Sequence, residues 1–218
     1  MRLYLLRHGE VASHRGDVPI TTDAERQAFE VGQGFGHREA EPVLILSGDT
    51  RRAMDTAAHL ARGVVDADGC VMGPEIALAL RNPDLYLAGV RVDMVSSASA
   101  FAEQVDGLSA EDVESLEFFQ RFIASTDRIG WWLTHASPPG EDARAIAVRL
   151  RSFAASLGDP VPGRPGSVIA VTHSPLIRAA GLDLLGYDIG EPPWVSGLLV
   201  LVAGDGTMRA EVFGEETR

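Results

Sequence analysis

The residues that could do chemistry in this chain sit at the ends of apolar runs. Leu3-Tyr4-Leu5-Leu6 leads into Arg7-His8-Gly9. An imidazole beside a guanidinium suits phosphate: the ring attacks phosphorus while the planar fork holds its oxygens. Gly9 allows a sharp turn or close approach of a ligand to the backbone. Val43-Leu44-Ile45-Leu46 leads through Ser47-Gly48-Asp49-Thr50 into Arg51-Arg52, and Ser167-Val168-Ile169-Ala170-Val171 leads into Thr172-His173-Ser174. Arg51 and Arg52 point to different sides of the first turn of a helix, so one can meet solvent while the other faces the strand ends. Any one of these sites has an ordinary structural explanation. A parallel sheet would gather all three at its carboxyl edge, where ligands of open α/β sheets bind.

The elements that must position them follow from periodicity. Unalternated apolar runs predict strands buried on both faces, at Leu3–Leu6, Val43–Leu46, Ile76–Leu80 and Ser167–Val171. Helices are predicted from Thr21 onward with Thr21 or Thr22 as N-cap, from Arg51 with Ala53, Met54, Ala57, Leu60 and Ala61 facing the core, over Glu141–Leu157, and from Ser174 to about Leu185. Gly197–Val202 and Met208–Val212 read as a closing pair of strands around Gly204-Asp205-Gly206. Strand–helix alternation with right-handed crossovers gives an α/β fold, a three-layer α/β/α sandwich on a mostly parallel sheet. Residues 85–140 break the rhythm and are expected to form a mostly helical insertion over the strand ends, within one domain spanning 1–218. The aromatics of that insertion are expected to pack rather than stack on a ligand.

Bulk properties narrow the chemistry. The chain has 218 residues, 45% hydrophobic and 23% charged, with a net charge of -12. That balance argues against nucleic acid or an anionic membrane as partner. All 19 basic residues are arginines, which excludes Schiff-base, pyridoxal-phosphate and P-loop lysine chemistry. The six histidines lack the paired spacing of a zinc-protease helix. No apolar run reaches membrane-spanning length, and the start of the chain lacks a signal-peptide plan. A single cysteine, Cys70, fits a reducing cytoplasm.

Leu6-Arg7-His8-Gly9-Glu10, Ser47 with Arg52-Ala53 and Thr56-Ala57, and Val171-Thr172-His173 together resemble the histidine phosphatase superfamily, the phosphoglycerate mutase-like enzymes. Ile20-Thr21 through Gln27-Ala28 and Pro139-Gly140-Glu141 look like further segments of that family, in the same order. The resemblance implies a metal-independent phosphoric monoester hydrolase of the histidine acid phosphatase type, with no cofactor, acting on a small phosphorylated substrate. By resemblance, His8 is the nucleophile that forms a phosphohistidine. Arg7 and Arg52 bind the phosphoryl group, and His173 donates to one of its oxygens. Ser174 opens a helix whose backbone N–H groups could join the same anion site.

Two positions depart from the family pattern. His14 stands where an asparagine is usual and is a candidate contact to phosphate or substrate. Asn82 follows Leu80-Arg81 where many members carry glutamate, and an amide cannot act as a titrating acid. Asp84 is the expected proton donor to the leaving alkoxide, with Glu141 in reserve. A phosphoglycerate mutase-type phosphotransferase is an alternative, but the insertion holds only Arg91, Arg121 and Arg128 among many acids, a poor clamp for a doubly phosphorylated cofactor. A non-catalytic phosphate-binding module is the other, and an intact Arg7, His8, Arg52 and His173 argues against it.

Overall fold

The computed structural model describes residues 1–13, 16–159 and 161–214. Its strands are β1 (Arg2–Arg7), β2 (Val43–Ser47), β3 (Val71–Ile76), β4 (Leu85–Leu87), β5 (Val90–Val92), β6 (Ser167–Thr172), β7 (Gly197–Val202) and β8 (Met208–Phe213). Six of them form one sheet in the order β3-β2-β6-β1-β7-β8, while β4 and β5 make a separate hairpin. Parallel pairing joins β3, β2, β6 and β1; β7 runs against both β1 and β8.

Alternation along the strands sends side chains to opposite faces and so builds two cores. Leu3 and Leu5 of β1, with Val168 and Ala170 of β6, pack with Ile146 and Leu150 of α7 (Ala143–Leu157) and Ile177 of α8 (Ser174–Leu185). Tyr4, Leu6, Ile169 and Val171 face the other way, toward Ala28 and Phe35 of α1 (Thr22–Arg38) and Ala57 and Leu60 of α2 (Arg51–Asp66). Each fully buried Leu or Ile contributes about 1.5–3 kcal/mol of transfer free energy. The expected three-layer α/β/α sandwich is therefore what forms.

Local signals set the helix starts. Thr21 caps α1, its hydroxyl accepting from the Ala24 N–H at 3.2 Å, and Asp142 caps α7 through the Ala145 N–H. Where α1 and α2 cross, backbone meets backbone: a Cβ on Gly63 would lie 2.0 Å from the Phe29 carbonyl oxygen. Gly63→Ala should therefore destabilise the fold by about 2–3 kcal/mol, outweighing alanine's better helix propensity. A urea midpoint equal to or above wild type would show that the two helices can part without loss.

One expectation needs correction. The third strand is Val71–Ile76, not Ile76–Leu80, and Leu78–Leu80 is a single 3₁₀ turn. The strand lies at the sheet edge with Met72 and Ile76 exposed and Pro74 within it, a residue tolerated at edges because it cannot donate to a neighbour. Of the run that looked like a strand, only Leu80 is buried. The insertion carries four helices, as expected, and one hairpin. It opens with the β4–β5 hairpin before α3 (Ala98–Ala102), α4 (Ala110–Glu114), α5 (Glu117–Ala124) and α6 (Arg128–Thr134). Phe101, Phe119, Phe122 and Trp132 are buried and continuous with the α7–α8 core, as packing residues should be.

Candidate active site

Sheet register brings the three chemical segments together. Arg7 pairs with Thr172 across β1 and β6, so His8 and His173 leave the sheet side by side. Their rings lie 5.2 Å apart at 62°. Ser47 pairs with Val171, which brings Gly48–Thr50 and the first turn of α2 to the same edge. A cavity of about 380 Å³ opens there. Arg7, His8, Asn82, His173, Ser174 and Arg52 form its floor, and the insertion supplies the opposite wall through Met94–Ser96, Phe122 and Thr126–Ile129.

His8 is buried, and its Nδ1 lies 2.8 Å from the Gly9 carbonyl oxygen. A carbonyl can only accept, so Nδ1 carries the proton and the ring's lone pair is on Nε2. Gly9 is held in turn by its N–H donating to Thr56 Oγ1 at 2.9 Å, and a Cβ on Gly9 would lie 2.9 Å from Ala24 Cβ. The turn after β1 is thus seated directly on α1 and α2.

Arg52 is buried and Arg51 exposed, as opposite sides of the first turn require. Arg51 has its backbone N–H on the Asp17 carboxylate and its guanidinium near Asp55. Arg7 is wrapped by the segment preceding β7: NH1 donates to the Pro192 carbonyl at 2.7 Å, NH2 pairs with Glu191 at 2.7 Å, and the guanidinium lies 3.4 Å over the Trp194 ring. Burial lowers the pKa of Arg7 and Arg52, opposed for Arg7 by Glu191 and for Arg52 by Asp93, Asp17 and Asp49. The Nε atoms of Arg7 and Arg52 are buried donors with no hydrogen-bond partner among the described residues. Both guanidiniums belong to residues that line the cavity, which favours an anion there.

His173 is the N-cap residue of α8 and is fully buried; burial, then Arg52, His8 and Arg7, push its pKa well below the ordinary 6.5. The neutral ring offers a hydrogen bond without a charge. A histidine whose folded pKa is depressed contributes stability that is complete above the unfolded value and is lost as pH falls through 6.5 toward the folded value. Melting temperature should therefore drop between pH 7 and 5, at up to about 1.4 kcal/mol per pH unit. His173→Asn should flatten that slope. An equal slope in the variant would move the effect to another group.

The structure does not bring Asp84 to the cavity. Its carboxylate pairs with Arg81 at 2.7 Å and Arg91 at 2.5 Å, and the Arg81 hydrogen bond, aided by Arg91, holds its pKa at about 2. A group ionised at that value holds no proton to give. Glu141 also lies elsewhere, accepting from Arg149 and from the Asp84 backbone N–H, and so ties the 81–84 turn to α7. Asn82 is buried in the cavity lining instead. Ser174 lines the cavity and donates to Glu191. His14 lies outside the described residues.

Sequence reasoning missed Glu191, Trp194, Asp127 and Arg178. The Glu-Pro-Pro-Trp segment reads as a turn, and its embrace of Arg7 depends on tertiary placement. Arg178 carried a usable signal, a charge inside the apolar helix Ser174–Leu185. It is 1% exposed and clasps Asp127 and Asp188 at 2.6 Å each, joining the insertion to α8. Among the described residues, no group of three or more His, Cys, Asp or Glu side chains could hold a metal, and no helix is long and apolar enough to cross a membrane.

Comparison with known proteins agrees with this geometry. Residues 3–68 match the profile of the histidine phosphatase superfamily (branch 1). Over 90% of its length the chain is 27% identical to a glucosyl-3-phosphoglycerate phosphatase of Mycobacterium tuberculosis, covering 81% of that protein. The native structure of a mycobacterial glucosyl-3-phosphoglycerate phosphatase superposes with a TM-score of 0.62 at 23% identity, over 97% of each chain. A phosphoserine phosphatase structure from Entamoeba histolytica, in complex with 3-phosphoglyceric acid, gives a TM-score of 0.59 at 16% identity, covering 99% of this chain and 98% of that one. The chain is thus similar to the histidine phosphatase superfamily over residues 3–68, and the motifs that carry the likeness meet at one sheet edge.

Proposed function

We propose that this protein is a phosphomonoester hydrolase that works through a phosphohistidine on His8, with a small phosphorylated molecule as substrate. The carrying observation is one cavity lined by an Nδ1-protonated His8 together with Arg7, Arg52 and His173. Substrate oxygens meet the two guanidiniums, and Nε2 of His8 attacks phosphorus as the ester oxygen departs. Arg7 and Arg52 stabilise charge spread over the equatorial oxygens, and neutral His173 adds a donor. Water then releases phosphate from His8. The relatives named as phosphatases support hydrolysis as the outcome.

Hydrolysis is favoured over mutase-type transfer because the insertion over the cavity is acidic, with Arg91, Arg121 and Arg128 as its basic residues, a poor clamp for a doubly phosphorylated cofactor. We place the protein in the cytoplasm, where a lone exposed Cys70 is at ease. EDTA-treated protein should release inorganic phosphate from 4-nitrophenyl phosphate at its untreated rate. A rate restored only by added Mg²⁺ would overturn the metal-free mechanism, and release of nitrophenol without phosphate would overturn hydrolysis.

A further inference from the structure

A departing alkoxide needs a proton, and Asp84 and Glu141 both lie off the cavity lining. Two carboxylates do line it, Asp127 and Glu191. Asp127 has both oxygens on Arg178, at 2.7 and 2.6 Å, and one also accepts from the Gly130 N–H. The Arg178 bonds hold its pKa at about 2, so it stays ionised.

Glu191 is placed differently. Oε1 pairs with Arg7 at 2.7 Å, Oε2 accepts from Ser174 Oγ at 2.5 Å, and Arg178 NH1 stands 3.6 Å away. Its side chain is 48% exposed, so it can reorient and meet water. The charged and polar groups facing it are Arg7 from β1 and Ser174 and Arg178 from α8, with Asp127 and Asp188 behind Arg178. It therefore touches two groups that line the cavity, Arg7 just before His8 and Ser174 just after His173.

We propose that Glu191, hydrogen-bonded to Ser174, is the acid–base residue of this reaction; the assignment rests on the hydrolase reading. A phosphate oxygen on Arg7 sets two anions on one guanidinium, and a proton on the carboxylate relieves the repulsion. In the first half-reaction the bond from His8 Nε2 to phosphorus forms and the ester P–O bond breaks. The Glu191 proton passes to the leaving oxygen, and an alcohol departs. In the second, a water oxygen bonds to phosphorus as the N–P bond breaks, and the water proton returns to Glu191. Inorganic phosphate leaves and the starting protonation is restored.

The test compares kcat/KM on phenyl phosphate, a poor leaving group, with that on 2,4-dinitrophenyl phosphate, whose phenolate needs no proton. Glu191→Gln should lose about 100-fold more on the phenyl ester than on the dinitrophenyl ester. Asp84→Asn and Glu141→Gln should keep the wild-type ratio between the two substrates, and Glu191→Asp should recover part of the loss. Equal losses on both esters, or a higher KM with kcat unchanged, would show that Glu191 only positions Arg7. A ratio that changes in Asp84→Asn instead would return the role to Asp84. Wild-type protein inert on both esters, or His8→Ala as active as wild type, would overturn the hydrolase reading itself.

Discussion

Replacing His8 with alanine should lower turnover by at least about four orders of magnitude, because the variant loses the covalent route and not merely a contact. Water cannot take the place of the ring, which is seated by Nδ1–H on the Gly9 carbonyl beside Arg7 and His173. His8 is buried, but it faces a polar cavity rather than either core cluster. Melting should therefore shift by only a few degrees, about 1 kcal/mol or less in a domain of this size. Steady-state rates on an aryl phosphate, read beside thermal melts, separate chemistry from folding. A folded variant within tenfold of wild type would remove His8 from the reaction.

The second large effect concerns two neighbours of the same residue type. Arg52→Ala should reduce kcat/KM by about 10³-fold, roughly 4 kcal/mol of transition-state stabilisation, since Arg52 brings a buried guanidinium to the cavity. Arg51→Ala should stay within about threefold of wild type, because its exposed guanidinium meets the half-buried Asp55 and its backbone N–H the exposed Asp17. Sequence alone puts the two side chains on different faces. Burial decides which face holds the phosphate. The reverse order of losses would mean that the helix presents its other side to the substrate.

What was legible in the sequence was whatever burial on two faces writes into it. β1, β2 and β6 are central strands, so their apolar runs are continuous, and the chemistry at their ends could be assigned to one edge. β3 is at the rim with Gly73 and Pro74 inside it, so it leaves no such run, and the neighbouring Ile76–Leu80 imitated one. Asp84, expected at the cavity, lies off its lining for a related reason. Asp84 is near the site in sequence, but its partner Arg91 comes from β5, a hairpin that no periodicity announced. Glu191 was out of reach because its importance lies in what it meets: Arg7 from the other end of the chain and Ser174 from the start of α8. Helix and strand periods encode layers. Contacts between loops and strand ends are encoded in no local period.

The central claim is a covalent phosphohistidine on His8, and trapping it is the most direct test. Protein mixed with an aryl phosphate without added metal, then quenched within milliseconds, should carry phosphate on His8. That adduct should survive base, fall off in acid, and be absent from His8→Ala. Stoichiometric phosphate released to water as it decays would complete the predicted cycle. Rapid hydrolysis with no adduct at any quench time, or an adduct of the same yield in His8→Ala, would contradict the account.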